Sequence, residues 1–262
     1  MDSKLVRYGP ASSCIYCGST ENLTDEHVLP FGIAGNAVIF TKASCKSCAK
    51  ATSSIEASVL SQTLGLFREK YGVPTRHPKR RTGRAQRWVV SRSDTGKITP
   101  LNRKVEGDVR DLPAAYLALH LPPAKLLAAE NANSEAKIWM WHNTTAEELT
   151  LLQKNQALHL GKFRPSDMYR FLAKIAHGIA VGELGTEVFS PSLTGIILGT
   201  DEDYPRCIGG LIELEPPDPE QLHVWNVGWA RTPDGRGYAI VRLRMYALLG
   251  APTYLIIAGV AR

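Results

Sequence analysis

The chain has 262 residues, of which 44% are apolar and 21% charged, with a formal net charge of +6. That balance is ordinary for a globular protein with room for a sizeable core in one or two domains, and no internal repeat or low-complexity tract is visible. Four of the five cysteines lie within 35 residues, with Cys207 alone, a grouping that fits a metal site in a reducing cytoplasm better than a disulfide framework.

Met1 to Gly9 carries no long apolar run, so no secretory signal is expected. The next stretch holds Cys14-Ile15-Tyr16-Cys17 and Cys45-Lys46-Ser47-Cys48. Each pair can place two thiolates on one tetrahedral ion at a tight turn, and the two together make a closed four-thiolate site for structural zinc. Redox Cys-x-x-Cys motifs would each have to open a helix after a strand, yet Gly18 and polar turn residues follow the first pair. Between the pairs stands Thr24-Asp25-Glu26-His27-Val28-Leu29-Pro30, read as a short strand ending at the proline. A Gly-rich loop from Phe31 to Gly35 follows, then Asn36 and a second strand from Ala37 to Phe40. After Cys48 the spacing of Ile55, Val59, Leu60, Leu64 and Phe67 predicts an amphipathic helix.

These residues resemble the HNH endonucleases of the ββα-metal (His-Me finger) superfamily, in the branch stapled by two Cys-x-x-Cys knuckles. The resemblance spans roughly residues 10 to 76, and Glu-His-Val-Leu-Pro before the Gly-rich loop is its most specific part. Ala43-Ser44, Thr52-Ser53, Glu56, Arg68 and Pro74-Thr75-Arg76 look like one bacterial subgroup. The resemblance implies that His27 is the general base, that Asn36 orients it, and that Glu26 is a ligand of a catalytic divalent metal, Mg²⁺ or Mn²⁺. The branch often has asparagine after the fourth cysteine as a further ligand, but Ala49 stands there. Glu56 is the strong oxygen donor on the same helical face. A helix starting at Ser53 would bring it into the first turn, where Ser53-Ser54-Ile55-Glu56 also fits a capping box.

Residues 68 to 92 hold nine basic side chains against the single acid Glu69, so the rest of the chain is acidic on balance. A local basic segment beside such a motif suits phosphate binding through counterion release. Arg76, Lys79, Arg80, Arg81, Arg84 and Arg87 are the expected nucleic-acid contacts, and Pro74, Pro78 and Gly83 suggest an extended strap.

Beyond it, Arg87 to Arg92 and Gly96 to Val105 read as a hairpin turning at residues 93 to 96. Ala136 to Trp141 reads as a strand, Thr145 to Gln156 as a helix capped by Thr144 or Thr145, and Asp167 to Leu184 as a longer helix. Leu222 to Ala230, Gly237 to Leu248 and Thr253 to Val260 predict an antiparallel sheet. Met245 to Ala261 is uncharged, but Gly250, Pro252 and Thr253 make it a hairpin rather than a membrane span. His120, His142, His159, His177 and His223 are scattered singly and read as packed or surface residues. Trp139 and Trp141, at alternating positions, read as core, and Cys207 as a small buried residue.

The expected fold is α+β: a zinc-stapled ββα-metal core over 1–76, a basic strap over 77–92, and a mixed domain over 93–262 with an antiparallel sheet and one or two helices. The expected function is metal-dependent hydrolysis of phosphodiester bonds in nucleic acid, DNA first, in the cytoplasm and without a membrane partner. A zinc-knuckle nucleic-acid-binding protein without catalysis is the alternative, and Ala49 favours it.

Overall fold

The computed structural model describes residues 5–34, 38–75, 83–93, 95, 97–128, 135–143, 156–159, 162–232 and 235–262. The first sheet has β3 (Val38–Cys45) at its centre, with β1 (Val6–Tyr8) parallel on one side and β2 (Leu23–His27) antiparallel on the other. His27 pairs with Ile39 and Leu23 with Cys45, with a register shift between Thr24 and Glu26. At that irregularity Lys42 takes a positive φ of 49° and its N–H donates to Asp25 Oδ1 at 3.0 Å. The second strand is twice the expected length. Polar Thr41 and Lys42 interrupt its apolar run, but Ala43, Ser44 and Cys45 return to the interior. The Gly-rich loop begins as one helical turn, α1 (Phe31–Ala34), whose Ile33 and Ala34 N–H groups donate to the Pro30 carbonyl.

Strand β3 passes directly into α2 (Lys46–Ala57), with Cys45 as the extended N-cap residue. The helix expected after Cys48 thus starts at the fourth cysteine's own turn, and the conditional start at Ser53 is excluded: Ser53 lies inside the helix, and Glu56 is in its last turn rather than in a capping box. A π-helical turn (Ser58–Thr63) and α3 (Gly65–Lys70) follow. Phe67 of α3 meets the rings of Tyr71, Tyr116, Trp141 and Tyr246, an aromatic cluster that ties this end of the unit to the strands beyond.

Those strands form three groups. β4 (Arg84–Arg92) pairs antiparallel with β5 (Ile98–Asp108), the expected hairpin, and with the short β8 (Gln156–Leu158). β6 (Ala115–His120) pairs with β7 (Lys137–His142), and Trp139 and Trp141 lie half-buried against the core as expected. The expected helix over 145–156 falls outside the described residues except for Gln156, which is in β8. The largest sheet runs β10 (Ile208–Gly210), β13 (Tyr254–Ala261), β12 (Gly237–Met245), β11 (His223–Arg231), with β9 (Phe189–Pro191) also on β13. The uncharged segment from Met245 thus enters the expected antiparallel pair, turning through Gly250 in a left-handed conformation.

The long helix α4 (Pro165–Leu184) starts on a proline at its first turn and is buried on nearly every side from Met168 to Val181. A helix apolar all round must lie inside the molecule, and α4 does: it packs on α2, on β6 and on the large sheet. Two short helices, α5 (Thr194–Leu198) and α6 (Tyr204–Cys207), close the far side, with Cys207 buried as expected. One continuous hydrophobic cluster runs from Cys14, Cys45 and Cys48 through α4 to Ile256 and Ile257, so the N-terminal unit and the C-terminal sheet share a core. Among the described residues no helix is long and apolar enough to cross a membrane.

Candidate functional site

The Cys-x-x-Cys pairs meet. Cys14 and Cys17 sit in a tight turn closed by Gly18 N–H donating to the Cys14 carbonyl at 2.8 Å, and Ile15 N–H donates to Ala43 O on β3 at 2.9 Å. Cys45 ends β3 and Cys48 lies in the first turn of α2. The four sulfur atoms all lie within 4.8 Å of one another, with Cys17 and Cys45 at 3.6 Å. Four thiolates at about 2.3 Å from a tetrahedral zinc stand about 3.8 Å apart, so this cluster fits the ion, and it is far from disulfide geometry. The Ser47 hydroxyl, 3.1 Å from the Cys45 sulfur, and the Cys48 backbone pull the Cys45 thiol down to about 6. That favours the thiolate at Cys45, whereas burial and the neighbouring sulfurs push the Cys48 thiol up.

Strand alternation then separates the two residues of the Glu-His motif. Glu26 points inward and is buried, while His27 is half-buried, its ring edge-on to Phe31 at 6.1 Å. The inward side chain meets a residue from the other half of the chain. Lys174 of α4 lies with Nζ 2.7 Å from Glu26 Oε1 and 2.8 Å from Glu56 Oε1. It also donates to the His27 carbonyl and, at 3.3 Å, to that of Val28. Burial works against the charge on Lys174, but the two carboxylates outweigh it and hold the ammonium above the usual lysine range. The two glutamates expected to share a divalent metal are therefore brought together, and around an ammonium. As arranged they do not fit a hard divalent ion, which requires about six oxygens and keeps several waters.

The same face of α4 is shaped to the N-terminal unit. A Cβ on Gly178 would lie 2.9 Å from Val28, and one on Gly182 2.4 Å from the Tyr8 ring. Tyr8 Oη donates to Glu183 at 2.8 Å. His177 Nε2 donates to the Ile15 carbonyl at 2.7 Å and its ring stacks on Tyr16 at 5.4 Å. Burial drops His177 to about 4 despite that carbonyl.

The loop that follows His27 is clamped from two directions. Arg68 donates through Nε to Gly32 O, and through its Nη atoms to Leu60 O at 2.8 Å and Pro74 O at 3.0 Å. The close approach explains the glycine, since a Cβ at position 32 would overlap the Arg68 guanidinium at 2.5 Å. His223 of β11 donates Nε2–H to Ile33 O at 3.2 Å, and its Nδ1 accepts the Tyr246 N–H at 3.3 Å. Burial lowers it to about 4, against the opposing pull of the Ile33 carbonyl.

The remaining expected site residues divide plainly. Asn36, Arg76, Lys79, Arg80 and Arg81 lie outside the described residues. Arg84 is exposed at the start of β4. Arg87 is a correction: only 1% exposed, it is turned inward, donates to Gln86 O at 3.1 Å, and is lowered by burial with Glu69 opposing, so it cannot reach a phosphate in this arrangement. Sequence reasoning missed Lys174, whereas His177 and His223 are packed residues as expected, with backbone partners no local pattern announces. Lys174 had a signal. A lysine inside Phe171-Leu172-Ala173-Lys174-Ile175-Ala176 sits on a helix with no solvent face, and a buried charge demands a partner.

No family model matches the sequence, and no curated protein or solved structure matches it.

Proposed function

We propose that the chain is an endonuclease of the HNH kind, hydrolysing phosphodiester bonds in nucleic acid, DNA first among substrates, with His27 as general base. The observation that carries this reading is the placement of His27. It ends β2, whose other end pairs at Leu23 with Cys45 of the four-cysteine cluster, and it lies on the face opposite the buried Glu26, half-buried. An imidazole can take the proton of an attacking water as a general base. The backbone that carries it is fixed: Lys174 holds the His27 carbonyl, and Arg68 and His223 hold the turn five and six residues on. Zinc in the cluster would be structural, joining the knuckle turn, the end of β3 and the start of α2. The basic side chains from Arg76 to Arg92 supply the phosphate attraction, with Arg87 as an interior exception, while Arg68 and Lys70 are spent on backbone carbonyls.

A second reading, nucleic-acid binding without hydrolysis, is favoured by Ala49 and by the ammonium between Glu26 and Glu56. Plasmid nicking with Mg²⁺ or Mn²⁺ supplied, measured beside binding, separates the two. Under the first reading the wild type nicks, and His27→Ala binds without nicking. Binding with no nicking by the wild type establishes the second.

A further inference from the structure

We propose that the Lys174 ammonium is the resident cation of the Glu26–Glu56 pair, tethered to the chain and occupying the place a divalent ion would need. The pair is then a lock between α4 and the zinc-stapled unit rather than a metal site, whether or not His27 cleaves nucleic acid.

The donor count is complete. An ammonium has three N–H groups, and Lys174 directs them to the Glu26 carboxylate, the Glu56 carboxylate and the His27 carbonyl, with Val28 O close by. The separations of 2.7 and 2.8 Å are those of charge-assisted hydrogen bonds. A Mg²⁺ ion would instead need near-octahedral oxygens at about 2.0–2.1 Å, most of them water. There is little path for that water, since the Lys174 and Glu26 side chains are 1% and 6% exposed. Glu56, at 20%, is the most exposed of the three, and it is placed to share with solvent the negative charge that two carboxylates leave over one ammonium.

The lysine also has nowhere to withdraw. Its helix is seated on the N-terminal unit by Gly178 against Val28, Gly182 against Tyr8, and His177 on Ile15. Its sequence neighbours Phe171, Leu172, Ala173, Ile175 and Ala176 are all buried. Two titratable groups packed beside the cluster, Tyr16 and His177, add no charge to it. The Tyr16 hydroxyl is buried and held protonated by burial and by the two carboxylates, and His177 is neutral.

The test uses the full-length, zinc-loaded chain and Mn²⁺ alone as the probe, with free Mn²⁺ read by electron paramagnetic resonance. Glu26→Gln and Glu56→Gln are expected to leave the Mn²⁺ binding curve unchanged. Lys174→Met is expected to lower the melting temperature by about 10 °C, because it strands two buried carboxylates. The triple variant Lys174→Met/Glu26→Gln/Glu56→Gln recovers part of that loss, since the stranded charges are gone. One Mn²⁺ bound per chain with affinity falling tenfold or more in either glutamine variant would overturn the proposal. Melting of Lys174→Met within 2 °C of wild type would do so as well. If Lys174→Met does not fold, the two glutamine titrations decide alone. None of these readings uses cleavage, so they stand apart from the nuclease assay.

Discussion

The half-buried His223 makes acid sensitivity a specific test of how the loop after His27 is held. Its two ring nitrogens are both assigned, Nε2–H to the Ile33 carbonyl and Nδ1 to the Tyr246 N–H, which requires the neutral imidazole. Burial places its folded value at about 4, against about 6.5 in the unfolded chain. Between those values the unfolded state binds a proton that the folded state refuses. The stabilisation is therefore present above pH 6.5 and is lost as pH falls through 4. At 1.36 kcal/mol per pH unit the whole effect is about 3 kcal/mol, and the part lost between pH 7 and pH 5 is about 2 kcal/mol. His223→Gln keeps a donor for Ile33 and removes the titration. Urea unfolding of the zinc-saturated protein at pH 7 and pH 5 should show a fall in stability smaller by about 2 kcal/mol in the variant. Other titrating groups, His177 and the zinc ligands included, act alike in both proteins and cancel. An equal fall in the two would refute the neutral histidine.

The zinc cluster predicts one zinc per chain by elemental analysis, and a Cys45→Ser protein that melts far below wild type; no zinc, or unchanged melting, contradicts it. Gly182→Ala would place a Cβ 2.4 Å from the Tyr8 ring, an overpacking cost of about 1–3 kcal/mol that works against the helix propensity gained. It should melt several degrees lower, whereas Gly228→Ala, whose Cβ meets nothing within 4 Å, should not. Neutralising Lys79, Arg80, Arg81 and Arg84 together should weaken binding to all sequences alike and reduce the salt slope by up to about 0.9 per lost phosphate contact on duplex DNA. An unchanged slope would put the binding surface elsewhere.

What could be read in advance was what local spacing encodes. The cysteine pairs, the β4–β5 hairpin, α4 to within two residues, and the β11–β12–β13 sheet all follow from turn chemistry or periodicity over short windows. The early start of α2 was hidden because no Ser, Thr, Asp or Asn announces it; Cys45 ends the strand and caps the helix without a side-chain hydrogen bond. Arg87 looked like part of a phosphate-binding strap because charge runs are usually solvated, yet the inward pleat of β4 buries it. The meeting of Glu26, Glu56 and Lys174 joins residues nearly 150 positions apart. No window holds such a contact, and only the lone charge on an otherwise apolar helix hinted at it.

The central claim is that His27 does chemistry, and the most direct measurement is the cleavage rate of a supercoiled plasmid by wild type and His27→Ala at equal bound fraction. Loss of a general base predicts a rate at least about a hundredfold lower in the variant, with melting temperature and DNA affinity preserved. Cleavage within a few-fold of wild type would contradict the account.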